Sequence, residues 1–132
     1  LDWDENKLDS EEGEYVGKIV NLCRKNGINI VLTTVVQDPE TVAEKCSGFA
    51  QADAYLGNLA AQLDVKYLNF NKLKFDVLDR TTDDFYDKEG HMYGDMAEKF
   101  SVVCGKAVKE AIADTLNEEE YFDKDMSNLY KK

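Results

Sequence analysis

The sequence predicts an α/β domain of the doubly wound type, built on a parallel sheet. A helical pattern stops at Gly27 and leads into a β-branched, nearly continuously apolar run at 28–36. Such a run is typical of a strand buried on both faces. A long amphipathic pattern at 39–64 and a second strand pattern at 65–70 follow. Helices and strands that alternate in this way favour parallel strands joined by right-handed crossovers.

Composition limits the classes of partner. The chain has 132 residues with 43% hydrophobic content, which suits one folded domain. Its 27 acidic residues against 16 basic ones give a formal net charge of −11. A surface this acidic repels phosphates and anionic lipid headgroups, so we expect no nucleic-acid partner. No apolar run is long enough to span a bilayer, so we expect no membrane insertion. The cellular location stays open because the sequence shows no targeting signal.

The three cysteines, Cys23, Cys46 and Cys104, are far apart in the sequence and lie on apolar faces of predicted helices. No CxxC pair is present, and a single histidine cannot complete a zinc site. We therefore interpret the cysteines as small core residues, and we expect neither a metal ion nor any other cofactor.

The chain divides into three parts: an acidic arm at 1–11, the α/β domain at 12–116, and a charged tail or short terminal helix at 117–132. Within the domain the first helix begins near residue 12 and ends before Gly27, which suits a left-handed cap.

The second predicted helix begins with Asp38 as N-cap and Pro39 at the first helical position. It runs without interruption to about residue 64. Its apolar stripe, which we expect to pack against the sheet, steps by threes and fours: Val42, Cys46, Phe49, Ala52, Leu56, Leu59 and Leu63.

The third predicted helix begins at Gly94 or Asp95 and ends near Leu116. Asp95 with Glu98 three residues later indicates a capping box. Its predicted buried side consists of Met96, Phe100, Val103, Cys104, Ala107, Val108, Ala111 and Ile112.

Residues 71–90 form a long polar segment that delivers the only histidine, His91. A loop of this length inside a compact domain favours a functional role. Carboxylates surround the histidine, and the segment leads directly into a helix. An Asp shortly before a His at such a place is how some esterases position a catalytic base and its orienter. The alternative is a surface histidine at the start of a helix.

The stretches Gly27–Thr34, Val65–Phe70 and Phe85–Ser101, taken in that order, resemble the C-terminal half of SGNH/GDSL-type hydrolase domains. Bacterial members related to surface-polymer acyl-transfer proteins are the most similar. The resemblance covers roughly residues 12–115. It implies a flavodoxin-like three-layer sandwich with a parallel sheet, incomplete here because one or more N-terminal strands are missing.

The resemblance also implies a chemistry: ester hydrolysis or acyl transfer on an ester-bearing small molecule or a glycan. His91 would be the general base, and Asp87 would hold its imidazole in the right tautomer. The family commonly places two residues between these partners, whereas three separate Asp87 from His91. Glu89 and Asp84 therefore remain alternatives for the orienter.

The family's nucleophilic serine lies in a Gly-Asp-Ser motif, and this chain has no such motif. None of its serines follows a buried strand on a tight turn, which is what exposes a nucleophile at a strand end. We expect the nucleophile to come from upstream residues or from another chain, and we expect this chain to be inactive alone. The serines are Ser10, Ser47, Ser101 and Ser127.

Two other functions compete with this reading. One is a non-catalytic module of the same fold that binds or scaffolds, for instance on a glycan. The weaker one is an unrelated response or carrier domain that uses Asp38 at the end of the first strand.

In addition, the open edge of the strand at 28–36 predicts a homodimer, because unpaired edges invite pairing with another chain.

Overall fold

The computed structural model describes residues 10–130 and shows an α/β fold with a two-stranded parallel sheet. Strand β1 (Val31–Thr34) pairs with β2 (Lys66–Asn69), in register from Val31 opposite Lys66 to Thr34 opposite Asn69. The α/β class and the parallel strand direction are thus confirmed. The α-helices of the described part are α1 (Ser10–Lys25), α2 (Pro39–Glu44), α3 (Cys46–Leu63), α4 (Gly94–Ile112), α5 (Glu118–Tyr121) and α6 (Met126–Leu129).

Helix α1 begins at Ser10, so the last two residues of the expected acidic arm are helical. The rest of that arm, residues 1–9, lies outside the described residues. The helix ends as predicted, because Gly27 has a φ of +67° and the amide of Ile28 donates to the carbonyl of Cys23 at 2.9 Å. This is the hydrogen bond of a left-handed C-terminal cap.

Strand β1 is shorter and more exposed than the sequence indicates. Ile28 is 57% exposed and Val35 is 45% exposed, and only Val36 of this apolar run is buried. The prediction of a strand buried on both faces is therefore wrong for the described chain. The reason is geometric: β1 pairs with β2 along one edge, and no described strand pairs with its other edge.

The expected helix at 39–64 is two helices. Lys45 leaves the helical region with φ −116° and ψ 28°, and it separates α2 from α3. Val42 of α2 lies fully buried in a small cluster with Met126 and Tyr130, and the first turn of α3 packs against the same cluster through Cys46 and Phe49. Helix α3 then continues along β2.

Helix α4 supplies much of the main core. The expected capping box at Asp95 is wrong, since the helix begins one residue earlier and its N-cap, Tyr93, makes no side-chain cap bond. The helix ends at Ile112, before the predicted Leu116, and Ile112 itself is 44% exposed. Asp114 follows with a left-handed φ of +57°. The remaining predicted residues are buried or pack against the core: Met96, Phe100, Val103, Cys104, Ala107, Val108 and Ala111.

The main core centres on Phe70, directly after β2. Its ring meets Phe100 edge-on at 5.2 Å between centroids and Phe122 at 5.5 Å. The C-terminal segment is therefore part of the fold rather than a frayed tail, and the short terminal helix is present as α5 and α6. The cysteines are free thiols and partly buried.

Candidate functional site

The candidate site lies at the carboxyl ends of the two parallel strands. Thr34 ends β1, and its hydroxyl donates to Asn69 Oδ1 at the end of β2, at 2.6 Å. One step further, the amide of Gln37 donates to Asn71 Oδ1 at 2.9 Å. These side-chain bonds join the two connections that leave the sheet. Ligands of open α/β sheets bind outside the carboxyl ends of the strands, so this edge is the physically expected place for a site.

A short hairpin over residues 84–93 presents the histidine. Phe85 and Met92 form an antiparallel bridge, with Phe85 buried in the main core. The amide of Tyr86 donates to the carbonyl of His91 at 2.6 Å, and the amide of Tyr93 donates to the carbonyl of Asp84 at 3.0 Å. The apolar bridge anchors the hairpin inside, which leaves its polar tip at the surface.

The hairpin is fixed to the connection that follows β1. Asp38 accepts a hydrogen bond from the hydroxyl of Thr82 at 2.8 Å. The hydroxyl of Thr41 lies 3.3 Å from the carbonyl oxygen of Lys88. The hairpin tip therefore sits beside the end of β1, where the carboxyl edge of the sheet begins.

At the tip, His91 Nδ1 and Asp87 Oδ2 are 2.6 Å apart. The same carboxylate accepts backbone N–H bonds from Glu89 at 3.0 Å and from His91 at 3.3 Å. The hydrogen bond and the charge of Asp87 raise the pKa of His91, and the hydrogen bond from His91 lowers the pKa of Asp87. The imidazole is 69% exposed, and its Nε2 makes no hydrogen bond to any described residue.

The alternatives for the orienter separate clearly in space. Asp84 does not approach the imidazole in any hydrogen bond, and its carboxylate instead accepts from the amide of Thr81 at 2.8 Å. Glu89 lies near the pair and its charge adds a smaller upward contribution to the pKa of His91. Asp87 is therefore the carboxylate that the structure places against the ring.

Asp87, Glu89 and His91 are also the one trio of potential metal ligands that the described part brings together, with ligand atoms within 4.8 Å of one another. Two of the three are exposed, and the shortest approach is already a hydrogen bond between Asp87 and His91. That pairing accounts for the cluster without an ion.

A cavity of about 420 Å³ opens next to the hairpin, and Glu89 forms part of its rim. One wall comes from helix α3, through Phe49, Ala52 and Leu56. The other wall comes from the strand ends, and there the hydroxyl of Tyr67 is buried without a hydrogen bond of normal geometry.

Two polar side chains that line the cavity, Asn69 and Asp53, are paired, and Lys72 joins them from outside the cavity. Asn69 Nδ2 donates to Asp53 at 2.9 Å, and Lys72 Nζ lies 3.3 Å from the same carboxylate. Sequence reasoning missed this network and the cavity. The available signal was that Asn69 and Asn71 follow directly on a strand end, where ligand-binding polar residues of α/β sheets commonly lie.

The described serines lie away from strand ends. Ser47 is in α3 and Ser127 is in α6, while Ser101 is in α4 and its hydroxyl donates to the carbonyl of Ala97 at 2.7 Å. Ser10 is the first residue of α1. The prediction that no serine follows a buried strand on a tight turn is confirmed.

Asp38 is a helix cap and is not exposed. It is fully buried, and its carboxylate accepts from the amides of Glu40 and Thr41 as the N-cap of α2. Burial by itself raises the pKa of this carboxyl, but the hydrogen bonds from Thr82 and Thr41 outweigh burial and lower it. This confirms the predicted N-cap. It also argues against a response or carrier domain that uses Asp38, because such a domain needs an exposed side chain at this position.

Comparison with protein-family models, with curated proteins and with solved structures finds no match to this chain. Among the described residues, no helix has both the length and the apolar character needed to cross a membrane.

Proposed function

We propose that this chain carries the base and the orienter of an SGNH-type ester hydrolase or acyltransferase. The observation that carries the proposal is the 2.6 Å contact between Asp87 Oδ2 and His91 Nδ1 on a hairpin held at the carboxyl ends of parallel strands. That is the arrangement in which a carboxylate fixes the tautomer of a histidine base and leaves Nε2 to take a proton.

In this proposal His91 Nε2 removes the proton of a serine hydroxyl while the serine oxygen attacks the ester carbonyl. The same proton then passes to the departing alkoxide. Asp87 accepts the Nδ1–H throughout and stabilises the imidazolium that forms between the two steps. Water, or the hydroxyl of an acceptor such as a glycan, then takes the acyl group from the serine.

The serine has to arrive from outside the described residues, because the described serines lie in helices. We propose that it comes on a strand that adds to the open edge of β1 and ends beside His91. The exposed apolar side chains of Ile28 and Val35 next to that edge support this docking. The completed sheet would be the centre of a flavodoxin-like three-layer sandwich.

A second candidate is a non-catalytic module of the same fold that binds or scaffolds an ester-bearing small molecule or a glycan. The placement of the described serines within helices favours it, because triad members act as a unit and a base alone retains little rate enhancement.

We can distinguish the enzyme from the non-catalytic module by measuring hydrolysis of p-nitrophenyl acetate. The assay uses the full natural protein that carries this sequence. We expect His91→Ala to lower turnover about a thousandfold. Lys88→Ala, an exposed position on the same hairpin, should leave turnover unchanged. The 132-residue chain by itself should show no more turnover than free imidazole. Turnover in His91→Ala equal to the wild type would overturn the enzyme proposal, and absence of turnover in the wild type would favour the module.

A further inference from the structure

We infer that the rings of Tyr86 and Tyr93 form an aromatic corner that binds an alkylated ammonium group beside His91. The substrate would then be an ester of an alcohol that carries a quaternary ammonium, such as a choline ester. The inference rests on the proposed function, because it names the class of ester that the same site takes. Binding of the ammonium group can be measured without any turnover.

The two tyrosines and the histidine project from one face of the hairpin. Side chains alternate between the two faces of a strand. Phe85 and Met92, which pair with each other, pack on the core. Their neighbours Tyr86, His91 and Tyr93 therefore lie on the outer face, where all three are exposed.

The aromatic corner is next to the imidazole. Because Phe85 pairs with Met92, the next two residues in register are Tyr86 and His91, and the amide of Tyr86 donates to the carbonyl of His91 at 2.6 Å. Residues directly opposite each other on paired strands have Cβ atoms about 5 Å apart. A ligand that contacts the Tyr86 ring is therefore within reach of the imidazole.

The geometry of the rings suits a rounded cation. Their centroids are 6.0 Å apart and their planes meet at 81°. Tyr86 is 73% exposed and Tyr93 is 51% exposed, so the core covers neither ring. Ring faces carry partial negative charge, and several faces set at an angle are how proteins hold quaternary ammonium groups. A sugar ring is flat and stacks on a single face, so two perpendicular faces suit it less.

The charges around the aromatic corner also favour a cation. Residues 82–95 contain five carboxylates and one lysine. Two of these carboxylates belong to Asp87 and Glu89, and each offers an oxygen within 4.8 Å of a ring nitrogen of His91. An ammonium group beside the imidazole is attracted by both carboxylates and by the ring faces. A neutral group of the same shape lacks this attraction.

The spacer of a choline ester fits this arrangement. In the proposed reaction His91 Nε2 returns a proton to the departing alkoxide oxygen. Two carbons separate that oxygen from the ammonium nitrogen in choline, which is comparable to the distance between side chains directly opposite on a hairpin. The ammonium can therefore occupy the aromatic corner while the alkoxide oxygen faces the imidazole.

Titration of the 132-residue chain with choline, followed by NMR, tests the inference. We expect saturable shifts of the Tyr86, Tyr93 and His91 ring protons, and weaker binding as salt is added. The neutral isostere 3,3-dimethyl-1-butanol has the same shape without the charge, and it should bind about tenfold more weakly. Methyl glucoside is the probe for a sugar ligand, and it should cause no saturable shift.

Variants of Tyr86 separate the ring face from the hydroxyl. Tyr86→Leu removes one ring and should weaken choline binding about fivefold, whereas Tyr86→Phe keeps the ring and should bind choline as the wild type does. Tyr15→Leu is the matched control, because Tyr15 is 56% exposed on α1, outside the hairpin. All of these positions are exposed, so the variants should keep the wild-type circular dichroism.

Four results would overturn the inference. They are the absence of saturable shifts with choline, equal affinity for 3,3-dimethyl-1-butanol, unchanged choline binding in Tyr86→Leu, and saturable shifts of the tyrosine rings with methyl glucoside in place of choline.

Turnover by the full natural protein separates this inference from the proposed function. Choline binding without any ester turnover would support the ammonium site and remove the enzyme. Turnover of p-nitrophenyl acetate that depends on His91, without choline binding, would support the enzyme and overturn the ammonium site. If both are correct, kcat/KM for acetylcholine should exceed that for the neutral ester 3,3-dimethylbutyl acetate about tenfold.

Discussion

Gly90 meets the side chain of Gln37 so closely that a Cβ built on the glycine would lie 2.0 Å from Gln37 Oε1. Gly90 also has a φ of +93°, a conformation that side chains with a Cβ rarely adopt. This contact ties the hairpin tip to the connection after β1, one residue before His91. The position of the imidazole therefore depends on a glycine whose conformation and contact both disfavour a side chain.

We expect Gly90→Ala to lower the free energy of unfolding by about 1–2 kcal/mol, because the positive φ is strained for alanine. The measurement is urea denaturation, together with the NMR shift of the His91 ring. Gly105→Ala, inside α4 with open space around its Cβ, should instead stabilise by up to about 1 kcal/mol. Equal stability of the two variants would contradict the role given to Gly90.

The pKa of His91 should lie above its ordinary value of 6.5, because Asp87 hydrogen-bonds the ring and adds a favourable charge. Asp87→Asn should bring the pKa down towards 6.5, and Glu89→Gln should lower it by less. Ring-proton NMR measures this without ambiguity, because His91 is the only histidine in the chain. A wild-type pKa at or below 6.5 would contradict the pairing.

The same pair makes stability depend on pH in a defined window. The raised pKa of His91 contributes stability that is complete below 6.5 and is lost as the pH rises through the folded-state value. The lowered pKa of Asp87 contributes stability that is complete above 3.8 and is lost as the pH falls through its folded-state value. The attraction between the two is therefore greatest between those values.

The urea midpoint of the wild type should exceed that of Asp87→Asn by more at pH 5 than at pH 9. A part of the difference should persist at pH 9, because Asp87 also accepts two backbone N–H bonds in the hairpin. A difference in urea midpoint that increases with pH would contradict the pairing of Asp87 with His91.

Arg80 is a buried cation that no described carboxylate neutralises. Its guanidinium donates to the carbonyls of Leu78 and Leu73 and to the hydroxyl of Tyr130, each at 2.8 Å, and it stacks on Phe75 at 4.0 Å. It thereby holds the long connection before the hairpin against the C-terminal segment. We infer that this network supports the placement of the hairpin that carries His91.

Arg80→Met should lower the free energy of unfolding by about 3 kcal/mol, because it leaves buried acceptors without donors. Arg80→Lys should recover little of this, since an ammonium cannot reproduce the planar fork of donors. Urea denaturation measures both variants. Arg24→Met provides the control, because Arg24 is exposed and donates a surface bond to the carbonyl of Asp64. Stability of Arg80→Met equal to that of the control would contradict the network's importance.

Local chemistry made much of the fold predictable. Pro39 after Asp38, and Gly27 after a helical pattern, fix backbone positions through their own geometry, and both are confirmed. The period of the apolar residues likewise located α3 and α4. The break at Lys45 was not predicted, although Ser47 and Gly48, which follow it, are weak helix formers.

The site was predictable only in part. The sequence spacing allowed Asp87, Glu89 or Asp84 to hydrogen-bond the ring of His91. Only the fold of the hairpin shows that Asp87 makes this contact. The exposure of Val35 depends on which strands lie beside β1, and the apolar pattern of the strand itself does not determine this. Tyr67 has the sequence of an ordinary strand residue, and only the fold shows that its hydroxyl is buried.

The open edge of β1 predicts self-association of the 132-residue chain. Its backbone groups have no described partner on that side, and α1, which precedes β1, exposes Tyr15, Ile19 and Leu22 along one face. A two-fold axis perpendicular to the sheet would pair β1 with its copy and place both α1 helices on the same side. The exposed apolar faces of the two α1 helices would then contact each other. The dimer would thus bury this apolar surface in addition to pairing the two β1 edges.

Light scattering over a dilution series should therefore detect a dimer, and Ile19→Glu should shift the chain to the monomer by placing a charge in the contact. Val102→Glu is the matched control, because Val102 is 73% exposed on α4 and lies beside Val77 and Leu78, in a different part of the surface. A wild-type chain that stays monomeric at every concentration would contradict the prediction. A dimer that persists in Ile19→Glu and dissociates in Val102→Glu would place the contact on α4 instead.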